Sequence, residues 1–274
     1  MDDGGVKTTI VQVPYDLGRP GGMGAGVPVL AETLAELADE TVTVARGDAS
    51  LNEVAACMEI VRGVAERVRE VVESRRFPLV LAGNCHSSLG TVAGLGMPVG
   101  VVWLDAHADF NTPESTQSGF LDGMALALLT GSGWEALRAT IPGHEPVPEQ
   151  QVVLAGARDL DSAEEERLAA SGVLRANADD LADALDTLRA RVADVYLHVD
   201  LDVLDPSVGR ANHYACDGGL TLDELERAID AVHARFTIRA AAVTAYDPAV
   251  DSERAIPPAA RAVVARLLAA EAVG

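Results

Sequence analysis

Asp and His side chains, which bind divalent metal ions, gather in this chain where apolar runs come to an end. The densest group is Trp103-Leu104-Asp105-Ala106-His107-Ala108-Asp109. Alternate side chains of an extended chain share a face, so Asp105, His107 and Asp109 are expected to project together if that conformation holds to the strand's end. Asp200-Leu201-Asp202 follows the apolar run Val195-Tyr196-Leu197-His198-Val199, and His86 follows Phe77-Pro78-Leu79-Val80-Leu81-Ala82. Taken singly, His86 would read as a satisfied buried histidine, and Asp109 or Asp202 as a cap. Together, four carboxylates and two imidazoles are too many polar groups to pack at apolar strand ends without a cation. The pattern points to a dinuclear metalloenzyme. His144, His198, His213 and His233 lack such company, although alternation puts His198 on the same face as Asp200 and Asp202, deeper in the strand.

The elements that must position these groups are readable around them. Short β-branched runs alternate with longer amphipathic segments, the mark of βαβ units and a mostly parallel sheet flanked by helices. Strands are expected at 8–13, 41–45, 79–82, 99–105, 151–155, 195–200 and 239–245. Ser50-Leu51-Asn52-Glu53 reads as a capping box opening a helix to about Arg75, and Thr221-Leu222-Asp223-Glu224 as another. Pro257 and Pro258 suit the first turn of a last helix, and Pro142–Pro148 reads as a surface loop. No repeat or linker divides residues 1–274, which are expected to form a single domain. All the candidate ligands fall at carboxyl ends of strands, where open parallel sheets bind their ligands.

A net charge of −21 argues against nucleic acid or an anionic membrane as partner and favours cationic ligands. Three cysteines (Cys57, Cys85, Cys216) make no disulfide framework. Met1–Gly5 lacks the basic and apolar segments of a secretory leader, so a cytoplasmic protein is expected.

Gly83-Asn84-Cys85-His86, Asp105-Ala106-His107-Ala108-Asp109 and Asp200-Leu201-Asp202 resemble, in order and spacing, the motifs of the arginase/ureohydrolase family. The resemblance runs from Gly18-Arg19-Pro20-Gly21-Gly22 to Asp251 and implies the three-layer α/β fold of that family. It makes His86, Asp105, His107, Asp109, Asp200 and Asp202 ligands of two Mn²⁺ ions, whose bridging hydroxide attacks a guanidine-like carbon. A trimer or hexamer is the assembly it implies. Asn111, Thr116 and Ser118, in Asn111–Gly119, match the loop that grips an α-carboxylate; Asp161, supported by Glu164, matches the segment facing the α-amino group. The alternative is an ordinary strand-to-helix turn with Asp161 or Ser162 as N-cap; the clamp is preferred because both of its halves are present.

Four departures from the family pattern shape the substrate expectation. Cys85 replaces an Asp beside His86 and reads as a small buried residue, with sulfur near the metals the lesser alternative. Asp122 stands where a proton-shuttling His is usual, with Phe120 before it in place of Asn; Asp109 and Asp122 are the catalytic candidates. Ala245 replaces a Glu that pairs with guanidinium, and Tyr214 replaces a small hydroxyl residue. The amino-acid end is kept and the reacting end rebuilt. That combination resembles Nω-hydroxy-arginine amidinohydrolases of antibiotic biosynthesis, which release hydroxyurea and ornithine. Arginase, agmatinase or guanidinobutyrase activity, a formimino or amide substrate, and a non-catalytic metal-binding paralogue remain the alternatives.

Overall fold

The computed structural model describes residues 7–48 and 50–269; Met1–Gly5 lie outside the described residues. Eight strands form one sheet: β1 (Thr8–Val13), β2 (Glu40–Thr43), β3 (Phe77–Ala82), β4 (Gly100–Leu104), β5 (Val152–Ala155), β6 (Leu174–Ala176), β7 (Asp194–Asp200) and β8 (Thr237–Thr244). Their order across the sheet is β2-β1-β3-β8-β7-β4-β5-β6, and every pairing is parallel. The expectation of a mostly parallel sheet is thus met by a wholly parallel one. The helices are α1 (Gly26–Thr33), α2 (Glu53–Glu73), α3 (Ser87–Leu95), α4 (Ala125–Leu129), α5 (Glu135–Arg138), α6 (Ser162–Ala170), α7 (Leu181–Arg189), α8 (Leu222–His233) and α9 (Ile256–Ala269).

Helices cover both faces, which is why the central strands are apolar throughout rather than alternating. Leu79 and Leu81 of β3 belong to the core shared with α1, α7, α8 and α9, while Val80 and Ala82 belong to the core shared with α2, α3 and α4. The period of two therefore sorts residues between two cores instead of between core and water. Among the described residues, no helix is long and apolar enough to cross a membrane.

Most strand ends shift by one or two residues from the sequence reading, and three differences go further. β6 was not expected: it is three residues long, pairs only with β5, and carries an exposed Arg175 at its centre. The start of α2 is capped by Asn52, whose side chain accepts from the Ala55 N–H, rather than by a Ser50 box. β4 stops at Leu104, one residue before Asp105. The Thr221–Glu224 capping box does form, with both reciprocal bonds, and Pro257 and Pro258 sit in the first turn of α9.

Candidate metal centre and substrate cavity

β3, β8, β7 and β4 are neighbours at the middle of the sheet. Their carboxyl ends deliver Cys85 and His86, Ala245, Asp200 and Asp105 to one place. Because β4 ends early, Asp105, His107 and Asp109 are set by a turn, not by strand alternation. Asp109 adopts a left-handed backbone (φ 50°), which Asp tolerates better than most residues. The Asp105 carboxylate accepts the His107 N–H (2.7 Å) and the Trp103 indole N–H (3.0 Å). Asp202 reaches across from the end of β7, accepting the Ala106 N–H at 3.3 Å and the Asn212 side-chain amide at 3.0 Å.

Two sets of donor atoms lie within 4.8 Å of one another: Asp105, His107 and Asp202, and Cys85, Asp105, His198 and Asp200. Asp105 is common to both. The Cys85 thiol donates to Asp200 Oδ2 at 3.1 Å. His198, which the sequence placed on the Asp200 face but deeper in the strand, is fully buried against Trp103 with ring centroids 3.6 Å apart. His86 belongs to neither set. It is the N-cap of α3, and its ring turns to Asp122, with Nδ1 3.3 Å from Oδ1. The Cys-His step at a strand-to-helix turn sends adjacent side chains in different directions, and here the sulfur faces the carboxylates. Asp109 lies outside both sets but lines the same cavity.

The electrostatics are those of a site that attracts cations. Burial, reinforced by neighbouring carboxylates, pushes Asp109 and Asp200 well above the usual carboxylate range and Asp105 up to about 6. Burial alone would depress His107, yet Asp105 and Asp202 hold it well above an ordinary imidazole; burial opposes but His107 outweighs it in drawing Asp202 down to about 2. Asp109 Oδ2 is buried without a hydrogen-bond partner, a costly state for a carboxylate oxygen unless a cation meets it. The donor set therefore fits divalent metal.

The cavity over these groups has a volume of about 570 Å³. Asn111, Ser118, Asp161 and Glu164 line it, as do Asp122, Phe120, Tyr214 and Ala245. Thr116 is not on the wall; its hydroxyl accepts the Gly119 N–H at 3.0 Å and shapes the loop. Asp161 is an N-cap: Oδ1 accepts the Ala163 and Glu164 N–H groups of α6, and Oδ2 accepts the Asn111 amide at 3.0 Å. Glu164, buried and pushed up to about 7 chiefly by that burial, accepts the Phe110 N–H at 2.7 Å. Asp122 accepts from the Asn84 amide (2.8 Å) and the His86 N–H (3.1 Å).

A family model described as "Arginase family" matches residues 7–270. The chain belongs to the arginase family. The arginase of Bacillus caldovelox is 33% identical over 219 residues, 75% of this chain and 73% of that protein. The Bacillus subtilis arginase is 31% identical over 271 residues, 89% of this chain and 91% of its relative. A solved structure of the Bacillus caldovelox arginase superposes with a TM-score of 0.87 at 30% identity, covering 96% of this chain and 98% of that one. An arginase-family chain is a hydrolase whose family binds two metal ions in such a centre.

Asn84 and Asn212 escaped the sequence reading although both are buried site residues. Asn212 bridges Asp202 to the Ala245 carbonyl (2.9 Å), and Asn84 joins Asp122 to Asp16. An Asn beside an unusual strand-end triplet, as in Gly83-Asn84-Cys85, was the available signal for the first. Asn212 lies in a loop with no local pattern to mark it.

Proposed function

We propose that this chain hydrolyses the amidine C–N bond of a guanidino amino acid, and that the substrate is Nω-hydroxy-L-arginine, giving hydroxyurea and L-ornithine. Ala245 carries this reading. It lines the same cavity as Asp122 and Tyr214, and its methyl group offers a guanidinium no counter-charge. A full cation there would have Asp122 but no second carboxylate at position 245 as counter-charge. The N-hydroxylated guanidine is less basic, needs less compensation, and brings a hydroxyl that the Asp122 carboxylate can accept.

Asp105, His107, Asp109, Asp200 and Asp202, with Cys85 and His198 beside them, would hold two divalent ions, manganese being the family expectation. When bound, such ions lower the pKa of water and supply the nucleophile. The chain's own residues do the rest. Asn111 and Ser118 offer donors to the substrate carboxylate, and Asp161 with Glu164 faces its ammonium group. This fixes the long axis of the substrate, so that its guanidine end meets Asp122, Phe120 and Tyr214. Phe120 and Tyr214 pack with ring centroids 5.2 Å apart, an apolar wall that excludes water from the planar head. The proton given up by the attacking water passes to the departing ornithine amine as the C–N bond breaks, so that one water is consumed per bond cleaved. Plain arginine is the second reading, favoured by the arginases to which the chain is similar.

A substrate panel with the manganese-loaded protein tests the choice. Nω-hydroxy-L-arginine should exceed L-arginine in kcat/KM by at least ~100-fold, equivalent to about 3 kcal/mol, with agmatine weakest. Equal or reversed values for the first two would remove the hydroxyarginine reading.

A further inference from the structure

The two donor sets differ in chemical softness. Asp105, His107 and Asp202 offer carboxylates and one imidazole, whereas Cys85, Asp105, His198 and Asp200 add a thiol. Cys85 is buried, its sulfur 3.1 Å from Asp200 Oδ2 and 3.4 Å from Thr244 Oγ1. His198 is held as a ligand would be. Its ring is stacked on Trp103, and Nδ1 is 3.1 Å from both the Ser88 and Tyr196 hydroxyls. That leaves Nε2 toward the group, 3.4 Å from Thr244 Oγ1. Fixing an imidazole through its non-coordinating nitrogen is how metal-binding histidines are oriented. His86, with Nδ1 toward Asp122, has no place in either set.

We propose that the two metal positions are chemically unequal. The position bounded by Cys85, Asp105, His198 and Asp200 takes a thiophilic divalent ion of the zinc–cobalt type, and the position bounded by Asp105, His107 and Asp202 takes a harder ion of the manganese type. Thiolate and imidazole donors select zinc-like ions, while carboxylate-rich sites suit manganese. Binding converts the Cys85 thiol to thiolate and releases its proton to solvent. This inference rests on the metal-centre reading but not on the identity of the substrate.

Cobalt spectroscopy and metal exchange on the full chain decide it without an activity assay. Titrating metal-free protein with Co²⁺ should produce a sulfur-to-cobalt charge-transfer band in the near ultraviolet, saturating at one equivalent. Cys85→Ser should abolish the band, His198→Asn should weaken the ion that gives it by at least ~10-fold, and His86→Gln should leave it intact. Should a buried variant fail to fold, the unaltered protein still answers: loaded with Zn²⁺ and challenged with rising Mn²⁺, it should release its two zinc ions at concentrations at least ~10-fold apart. Co-release of both ions, or saturation with Co²⁺ without the band, overturns the proposal and leaves the hydrolase reading standing. So does a band that His86→Gln removes and His198→Asn spares. Failure to bind any divalent ion overturns both.

Discussion

The two ends of the cavity are built by different physics. At the amino-acid end, the polar groups also hold the fold together: Asp161 caps α6, Glu164 ties down the Phe110 backbone, and Asn111 is clamped between Asp161 and the Ser115 hydroxyl. At the reacting end, Tyr214 is half exposed and Ala245 sits in a left-handed conformation (φ 63°), so neither side chain is committed to a structural bond. A residue with two duties cannot change without a cost in stability, whereas a free wall can. On the proposed reading, the clamp residues Asn111, Asp161 and Glu164 are constrained by the fold, whereas Phe120, Tyr214 and Ala245 are freer to differ. Asp122, which accepts from Asn84 and His86, is not part of that free wall.

Between the two ends lies the group that serves both. Asp105→Asn removes the carboxylate shared by the two donor sets, so kcat should fall at least ~1,000-fold, about 4 kcal/mol, with loss of bound metal on elemental analysis. The metal-free variant should melt higher than the metal-free parent, because one buried like charge is gone. Retained turnover with both ions bound would break the assignment.

Glu164→Gln probes the structural end. A buried carboxyl that titrates at about 7 in the fold but near 4.5 in the unfolded chain binds more protons when folded between those values. Stability therefore falls as pH rises from about 4.5 to about 7, by about 3 kcal/mol at most. Gln keeps the acceptor for the Phe110 N–H and should flatten that slope in denaturant titrations of the metal-free protein. An unchanged slope would show that Glu164 is not the group responsible.

Ala245→Glu restores charge to the free wall. It should narrow the preference for hydroxyarginine over arginine by about 10-fold, or about 1.4 kcal/mol, at a cost in stability of the metal-free protein, because position 245 is buried. A matched loss of both activities instead would mean that the reacting end is as constrained as the other.

The smallest effect is expected from Asp161→Ala. Loss of the cap should cost about 1 kcal/mol of stability, and KM should rise for α-amino substrates but not for agmatine. A stability loss with no change in KM would make Asp161 a cap alone.

The sequence by itself determined the inventory: seven of the eight strands, that the sheet is mostly parallel, and that carboxylates and imidazoles collect at its carboxyl ends. These follow from periodicity and burial, which are local. It did not reveal β6, whose three residues carry no period. Nor did it show that the extended conformation stops at Leu104, so that Asp109 is placed by a left-handed turn. Only the tertiary structure decided which neighbour faces the centre at Cys85-His86, because two adjacent side chains in a strand-to-helix turn look equivalent until β7 brings Asp200 beside the sulfur. The same holds for His198. Its value as a ligand depends on Trp103, Ser88 and Tyr196, which lie on three separate elements and meet only once β3, β8, β7 and β4 stand side by side.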